Sequence, residues 1–270
     1  MASATLTKHD LSILEKIKDP ESAPSAPLLI DDSLPRDPHI TDPLKYSIIS
    51  QREREIISSI QSLELQVAGL KPTSSSSSPL TQYLSVVKNL DTLITSCPNY
   101  ASARNNRAQA LRKIYGDGIL VSNSTLQKNE EGTVLDPKPS DTVLITASTT
   151  ILKDLSTAIN LLKPTTPFAP LSPQAAKTLS QAYTQRGAFY HLTSKKLCMK
   201  GSELRIDPER KEARWSVVEF EENASKDFML GGRYGNEIAR NLAVGTNPVA
   251  KLCGEMLREA MRKEYAGGST

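Results

Sequence analysis

The sequence predicts an all-α protein, three helix pairs stacked into a superhelix and closed by a C-terminal capping helix. Three observations carry this. Apolar residues recur at helical spacing through most of the 270 residues, while aromatics make up only 5 %, low for a β-rich protein. Prolines fall between those stretches, at Pro72, Pro79, Pro98, Pro164 and Pro248, positions that suit helix ends and first turns. Tyr100–Ile114, YASARNNRAQALRKI, carries Ala101, Ala103, Ala108 and Ala110 where an ordinary amphipathic helix would bury Leu or Ile. Alanine at these spacings means that a second helix lies very close.

Residues 1–45 are expected to be mostly disordered. Asp10–Lys18 spells one short helix, with Leu11, Leu14 and Ile17 in register and Asp10 as its cap. Asp19–Pro43 is proline-rich and reads as an extended linker, with Leu28-Leu29-Ile30 its candidate for docking on the body. Repeat 1 spans 46–98. Its first helix is Tyr46–Leu70, with Ile48, Ile49, Ile56, Ile60, Leu63 and Val67 inward and Arg52, Glu53, Arg54 and Glu55 facing water. Thr73 and Ser74–Ser78 cannot bury anything and form a flexible loop. Pro79 opens the second helix, with Leu84, Val87, Leu90 and Ile94 inward.

Repeat 2 spans 99–164. After Tyr100–Ile114, Gly116-Asp117-Gly118 breaks the chain and a polar insertion runs to Ser140. Asp141–Lys163 is helical again, burying Leu152, Leu155, Ile159 and Leu162. Repeat 3 spans 165–234: a helix from Gln174 to about Thr193, a basic irregular insertion at Ser194–Arg214, and the helix Trp215–Gly231. Gly231-Gly232 stands where left-handed backbone would end that helix. Residues 235–270 form the cap. Ile238, Leu242 and Val244 come first; after Asn247-Pro248, Leu252, Met256, Leu257 and Met261 make the apolar face that covers the open end of the stack.

The pairs fit a tetratricopeptide pattern, a unit of about 34 residues whose small positions let two helices touch. In the second unit Arg107, Ala108 and Leu111 serve helix A, and Ile151, Leu155, Ala158 and Pro164 serve helix B. In the third, Tyr183, Arg186, Gly187 and Tyr190 serve helix A, and Ala224, Phe228 and Gly231 serve helix B. In the first, Val86, Leu90, Leu93 and Pro98 fit helix B while helix A is degenerate. An insertion in each A–B turn hides the period. Arg107 and Arg186 occupy an inward position and read as packing residues, snorkelling or bonded to a neighbouring turn.

From about Ser62 to Lys263 the chain resembles the tetratricopeptide repeat protein 36 family. Ser62–Gln66, Ala101–Ala110, Asp154–Ile159, Gln185–Gly187, Ala224–Phe228 and the tail NPVAKLCGEML of Asn247–Leu257 carry the resemblance. It implies a three-repeat adaptor, and the family's animal members link it to chaperone association and tyrosine breakdown. The insertions at 74–78, 116–140 and 194–214 are departures from the family's more compact form.

The expected site is the groove lined by Ser102, Asn105, Asn106, Gln109, Arg112, Gln181, Thr184, Gln185, Ala188 and His191. This neutral, amide-rich surface suits the backbone of an extended segment of a partner protein; a merely solvated face is the alternative. Three-repeat domains that grip acidic chaperone tails use a clamp of Lys, Arg and Asn. Here Asn106 holds the middle position, Gln181 and Gln185 replace cations, and Glu64 and Ala68 fill the first helix. A chaperone partner would therefore use a surface other than the clamp.

A net charge of +3 with interspersed signs gives no push toward nucleic acid or membrane, and no apolar run is long enough to span one. Cys97, Cys198 and Cys253 are odd in number and far apart, and the N-terminus lacks a secretory layout, so an intracellular chain is expected, cytoplasmic or also nuclear. His9, His39 and His191 are isolated. No metal, cofactor or catalytic set is expected. Beside the adaptor and the co-chaperone stand two other readings, RNA or lipid binding through the basic stretch 194–214 and assembly through the last helix.

Overall fold

The computed structural model describes residues 28–71, 77–122, 134–136, 138–166 and 169–267, with side chains to Lys263. Among these the chain forms eight α-helices: α1 Pro43–Val67, α2 Pro79–Ser96, α3 Ala101–Tyr115, α4 Asp141–Leu162, α5 Pro173–Leu197, α6 Val217–Arg233, α7 Glu237–Thr246 and α8 Pro248–Gly267. The all-α expectation holds. The short helix expected at Asp10–Lys18 and most of the serine loop lie outside the described residues.

The helix starts are written in the sequence. Pro43, Pro79 and Pro173 occupy first turns, where a missing N–H is harmless. Asp42, Ser78, Ser140, Ser172 and Asn236 each accept a hydrogen bond from a first-turn amide. Ser216 and Glu219 form a reciprocal capping box at the start of α6.

Each helix packs on its successor along the chain, from α1 to α8. In addition α3 lies along α5. Ala101 and Ala108 belong to the core shared with α4, α5 and α6. Ala103 and Ala110, on the opposite side of the same helix, belong to the core shared with α1 and α2. Thus α3 is clamped from two sides, and its alanines are the reason it can be.

Several expectations are corrected. Glu53 is not in water: it is 6 % exposed and points between α1 and α3. Ile48, Val67 and Leu84 are exposed instead, and Tyr83, Val86 and Leu93 take the inward places of α2. Leu28 to Asp42 is no loose linker. Leu29 and Asp31 pair with Leu171 through two backbone hydrogen bonds of 3.0 Å. His39 Nε2 lies 2.9 Å from the Leu161 carbonyl, and Ile40 and Asp37 are buried.

The described parts of two insertions are also built structure. Val121–Ser122 (β1), from the α3–α4 insertion, pairs antiparallel with Glu203–Leu204 (β2), from the α5–α6 insertion. Ile119, Leu120 and Ile206 are buried beneath the ribbon. A 3-10 turn at Lys211–Arg214 buries Glu212, which accepts from Tyr190 Oη at 3.0 Å and from Arg210 Nη2 at 2.9 Å. The supposed basic loop therefore has its α5 end helical to Leu197, and Arg205 is buried.

Gly231 and Gly232 are helical, and the left-handed residue is Gly235, with φ of 108°. The two glycines serve close approach: a Cβ on Gly231 would stand 2.6 Å from Thr184 Oγ1, and one on Gly232 2.8 Å from the Arg240 backbone. Finally, α8 does not close the stack. Leu252 and Met256 are 57 % and 63 % exposed, and Val249, Leu257 and Met261 are exposed with them. Lys251 ties its first turn to Glu221 of α6 at 2.8 Å.

Candidate functional site

The sequence-predicted groove residues, His191 apart, lie on the side where α3 and α5 run next to each other, beside α1. Asn105 meets Gln181 and Gln185, and further along the Arg112 guanidinium lies over the Phe189 ring at 5.8 Å. Many of the polar groups expected to line the groove are already bonded inside the protein.

Asn105 is buried. Its Oδ1 accepts from Gln185 Nε2 at 2.9 Å, and its Nδ2 donates to Gln181 Oε1 at 3.4 Å. These amides stitch α3 to α5 rather than wait for a ligand. Asn106 Nδ2 donates to Glu53 Oε1 at 2.7 Å, and Tyr100 donates a very short hydrogen bond to the same carboxylate. Ser102 bonds Glu53 as well. Burial pushes the Glu53 carboxyl above its ordinary value, against the hydrogen bonds from Tyr100, Ser102 and Asn106 that pull it down. Arg112 is held by both oxygens of Asp117, one at 2.8 Å. Thr184 donates to the Ser180 carbonyl at 2.8 Å.

What remains exposed on this face is Gln109 and Gln181, while Ala188 is half-buried against the core. His191 stands aside, edge-on to Phe228 at 6.2 Å between centroids. Its Nδ1 is buried without a hydrogen-bond partner, and burial together with the charges of Lys195 and Lys251 pushes its pKa down. Gln185 Oε1 is likewise buried and unpartnered.

Behind the face run two ion pairs that sequence reading placed only as packing residues. Arg107 bonds Asp154 through Nε at 2.6 Å and Nη2 at 2.7 Å, and reaches Asp91 with Nη1 at 2.5 Å. Arg186 bonds Asp227 in the same manner. Asp154 and Asp227 stand on the second helix of their pairs, so each Arg joins the two helices of one pair. The acidic partners had no signal in the sequence beyond a charged residue at an inward position.

At the end of this face, where the last turns of α1 and α3 meet α2 and α5, a cavity of about 560 Å³ opens. Ile60 and Glu64 of α1, Tyr83 of α2, Gln109 and Lys113 of α3 and Leu192 of α5 line it. Its size is that of a small-molecule site. Among the described residues no group of three His, Cys, Asp or Glu could hold a metal ion, and no helix is long and apolar enough to cross a membrane.

Compared with curated proteins, the chain is 34 % identical over 267 residues to the L-tyrosine degradation gene cluster protein hmgX of Aspergillus fumigatus. That match covers 97 % of this chain and 94 % of the relative. No protein-family model matches the chain, and no solved structure matches it. The resemblance to the tetratricopeptide repeat protein 36 family thus gains no support from family models, while the tyrosine link that it implies has a counterpart in the relative's name.

Proposed function

Because the chain belongs to the family of the L-tyrosine degradation gene cluster protein hmgX, we propose that it is a non-catalytic adaptor in L-tyrosine degradation. It holds a partner protein on the face of α1, α3 and α5, and its three helix pairs wind as a tetratricopeptide-type superhelix. The observation that carries this reading is the repeated construction of that face. Equivalent Arg–Asp pairs, Arg107–Asp154 and Arg186–Asp227, lock each helix pair. An amide bridge, Gln185 to Asn105, then fixes one pair against the next. Such a rigid platform presents a surface at little ordering cost when a partner binds.

Asn106 bonds Glu53, and Gln181 and Gln185 bond Asn105. This supports a partner of another kind than an acidic chaperone tail, or a chaperone held elsewhere. In the stretch 194–214, Arg205 pairs with Asp141 at 3.3 Å and Arg210 with Glu212. Fewer cations than the sequence suggested are left for RNA or lipid, which favours the adaptor.

The test compares wild type with Gln109→Arg/Gln181→Arg, two changes at exposed positions of the face. Cross-linking and affinity capture from cells consuming L-tyrosine should yield a partner with wild type and lose it with the variant, while circular dichroism shows both folded. A partner set unchanged by the two arginines would place the binding surface elsewhere. Slower L-tyrosine consumption on depletion of the chain is the matching cellular result.

A further inference from the structure

Residues 28–42 form no helix of their own, yet they rest on the three helices that build the partner-binding face. Gln174, Thr178, Gln181 and Gln185 recur at helical spacing along one side of α5. The stripe that carries the Gln185–Asn105 bridge therefore runs on toward the start of that helix. There Arg36 and Asp37 surround a small space together with Tyr46 of α1, Ser102 of α3, and Gln174 and Thr178 of α5. Ser102 thus borders both the expected groove and this segment.

The segment is anchored at its ends and incompletely packed between them. Leu29 and Asp31 hold Leu171 through their two backbone hydrogen bonds, and Ile40 is buried in the core shared by α1, α2 and α3. Between these anchors the Arg36 carbonyl accepts from Ser172 Oγ at 3.2 Å, and His39 meets the Leu161 carbonyl. Leu34, Pro35 and Arg36 leave a cavity of about 420 Å³ against Tyr46, Ser47 and Arg54 of α1. A permanent interior contact is normally filled. Asp37 is buried, and among the described residues no Lys or Arg pairs with it. Its hydrogen bonds come from the amides of His39 and Ile40, inside its own segment. Burial pushes its carboxyl above the ordinary value, and the buried Glu53 carboxylate nearby adds a like charge. Unfilled space and an unpaired buried carboxylate both oppose docking, so this segment opens at far less cost than the helices beneath it.

We propose that residues 28–42 are an internal occupant of the partner-binding face, covering the end of it in the free protein and leaving when an extended segment of the partner takes their place. The proposal rests on the reading of that face as the binding surface. A tethered occupant competes at an effective concentration on the order of mM. It therefore sets a threshold that a weak partner does not pass.

Two measurements test this without the partner. In hydrogen exchange on the wild-type full chain, the amides of Asp31 and Ile40 should exchange about a hundredfold faster than those of Ala108 and Leu111 in α3, as local opening requires. The second uses a fluorescent peptide of residues 28–42, LLIDDSLPRDPHITD, and anisotropy. It should bind saturably to the full-chain variant His39→Ala/Ile40→Ala, both changes lying on the segment itself. It should bind wild type about tenfold more weakly, because the tethered copy competes. Circular dichroism and unchanged exchange in α3 show that the variant keeps its helices. Exchange of the Asp31 and Ile40 amides at the α3 rate would make the segment a permanent part of the core and overturn the proposal. Equal peptide affinity for wild type and variant, or no binding to the variant, would overturn it as well. The capture experiment with Gln109→Arg/Gln181→Arg reads the partner face separately: an unchanged partner set there overturns that reading, while exchange and peptide binding decide the displacement of the segment by themselves.

Discussion

Arg186 grips Asp227 with two parallel hydrogen bonds, Nε to Oδ2 at 2.7 Å and Nη2 to Oδ1 at 2.8 Å. Arg107 and Asp154 repeat the arrangement one helix pair earlier, and Arg104 adds a contact to Asp154 at 3.2 Å. The repetition extends to the sequence. Arg107-Ala108 corresponds to Arg186-Gly187, and Asp154 and Asp227 each precede a small residue by one helical turn, Ala158 and Gly231. A Cβ on Gly187 would stand 3.1 Å from the Phe228 ring, a contact tight enough that the ring would have to shift.

Asp154→Ala removes the fully buried carboxylate shared by Arg107 and Arg104, leaving Arg107 only the exposed Asp91 as an acidic partner. Breaking a buried pair by removing one partner costs about 3–5 kcal/mol. Urea denaturation should show a loss of that order, and the double change Arg107→Met/Asp154→Leu should lose less than the single one. A loss below about 1 kcal/mol in the single variant would mean that the pair is dispensable.

Stability should depend on pH through Glu53. Its folded-state carboxyl lies above the ordinary value of 4.5 because of burial. The folded state therefore binds more protons than the unfolded chain in the interval between the two values, and stability falls as pH rises through it. Glu53→Gln removes that titration. Melting temperatures measured across this range should decline in wild type from about pH 4.5 upward and stay flatter in the variant; parallel curves would contradict the assignment.

A methyl group at either close-contact glycine of α6 should destabilise the protein despite alanine's better helix propensity. At Gly232 the obstacle is the Arg240 backbone, which cannot turn aside, and overpacking of this kind costs about 1–3 kcal/mol. At Gly231 the nearest atom is Thr184 Oγ1. Gly231→Ala should thus be partly rescued by Thr184→Ala, whereas Gly232→Ala should not. Chemical denaturation of the two glycine variants, each with and without Thr184→Ala, separates these outcomes.

The exposed face of α8 contributes little to folding. Leu252→Glu and Met256→Glu should shift the unfolding free energy by no more than about 0.5 kcal/mol, the range of ordinary surface changes. A drop of several kcal/mol in thermal or urea melts would restore the capping role that the helix's amphipathic pattern suggests.

That pattern shows where sequence reading fails. Periodicity in α8 identifies an apolar face but says nothing about whether a neighbour covers it. The same limit misplaced Glu53. A charged residue among Arg52, Arg54 and Glu55 looks solvated, and only the arrival of Tyr100 and Asn106 from a helix about fifty residues away supplies its partners. The groove residues were found because one face of α3 carries polar side chains between two alanine faces. Their availability is not legible in sequence, since hydrogen bonds between Asn105, Gln181 and Gln185 depend on the spacing of two helices.

The sequence by itself determined seven of the eight helix segments within a few residues, and the close packing of α3, because these follow from local spacing, proline positions and side-chain size. Only the tertiary structure decided what the polar residues do. Pairing of Arg107 with Asp154, burial of Glu53 and the ribbon between two insertions all join residues distant in the chain. A polar group's role is set by whether a partner or water reaches it, and that is fixed only when the helices have packed.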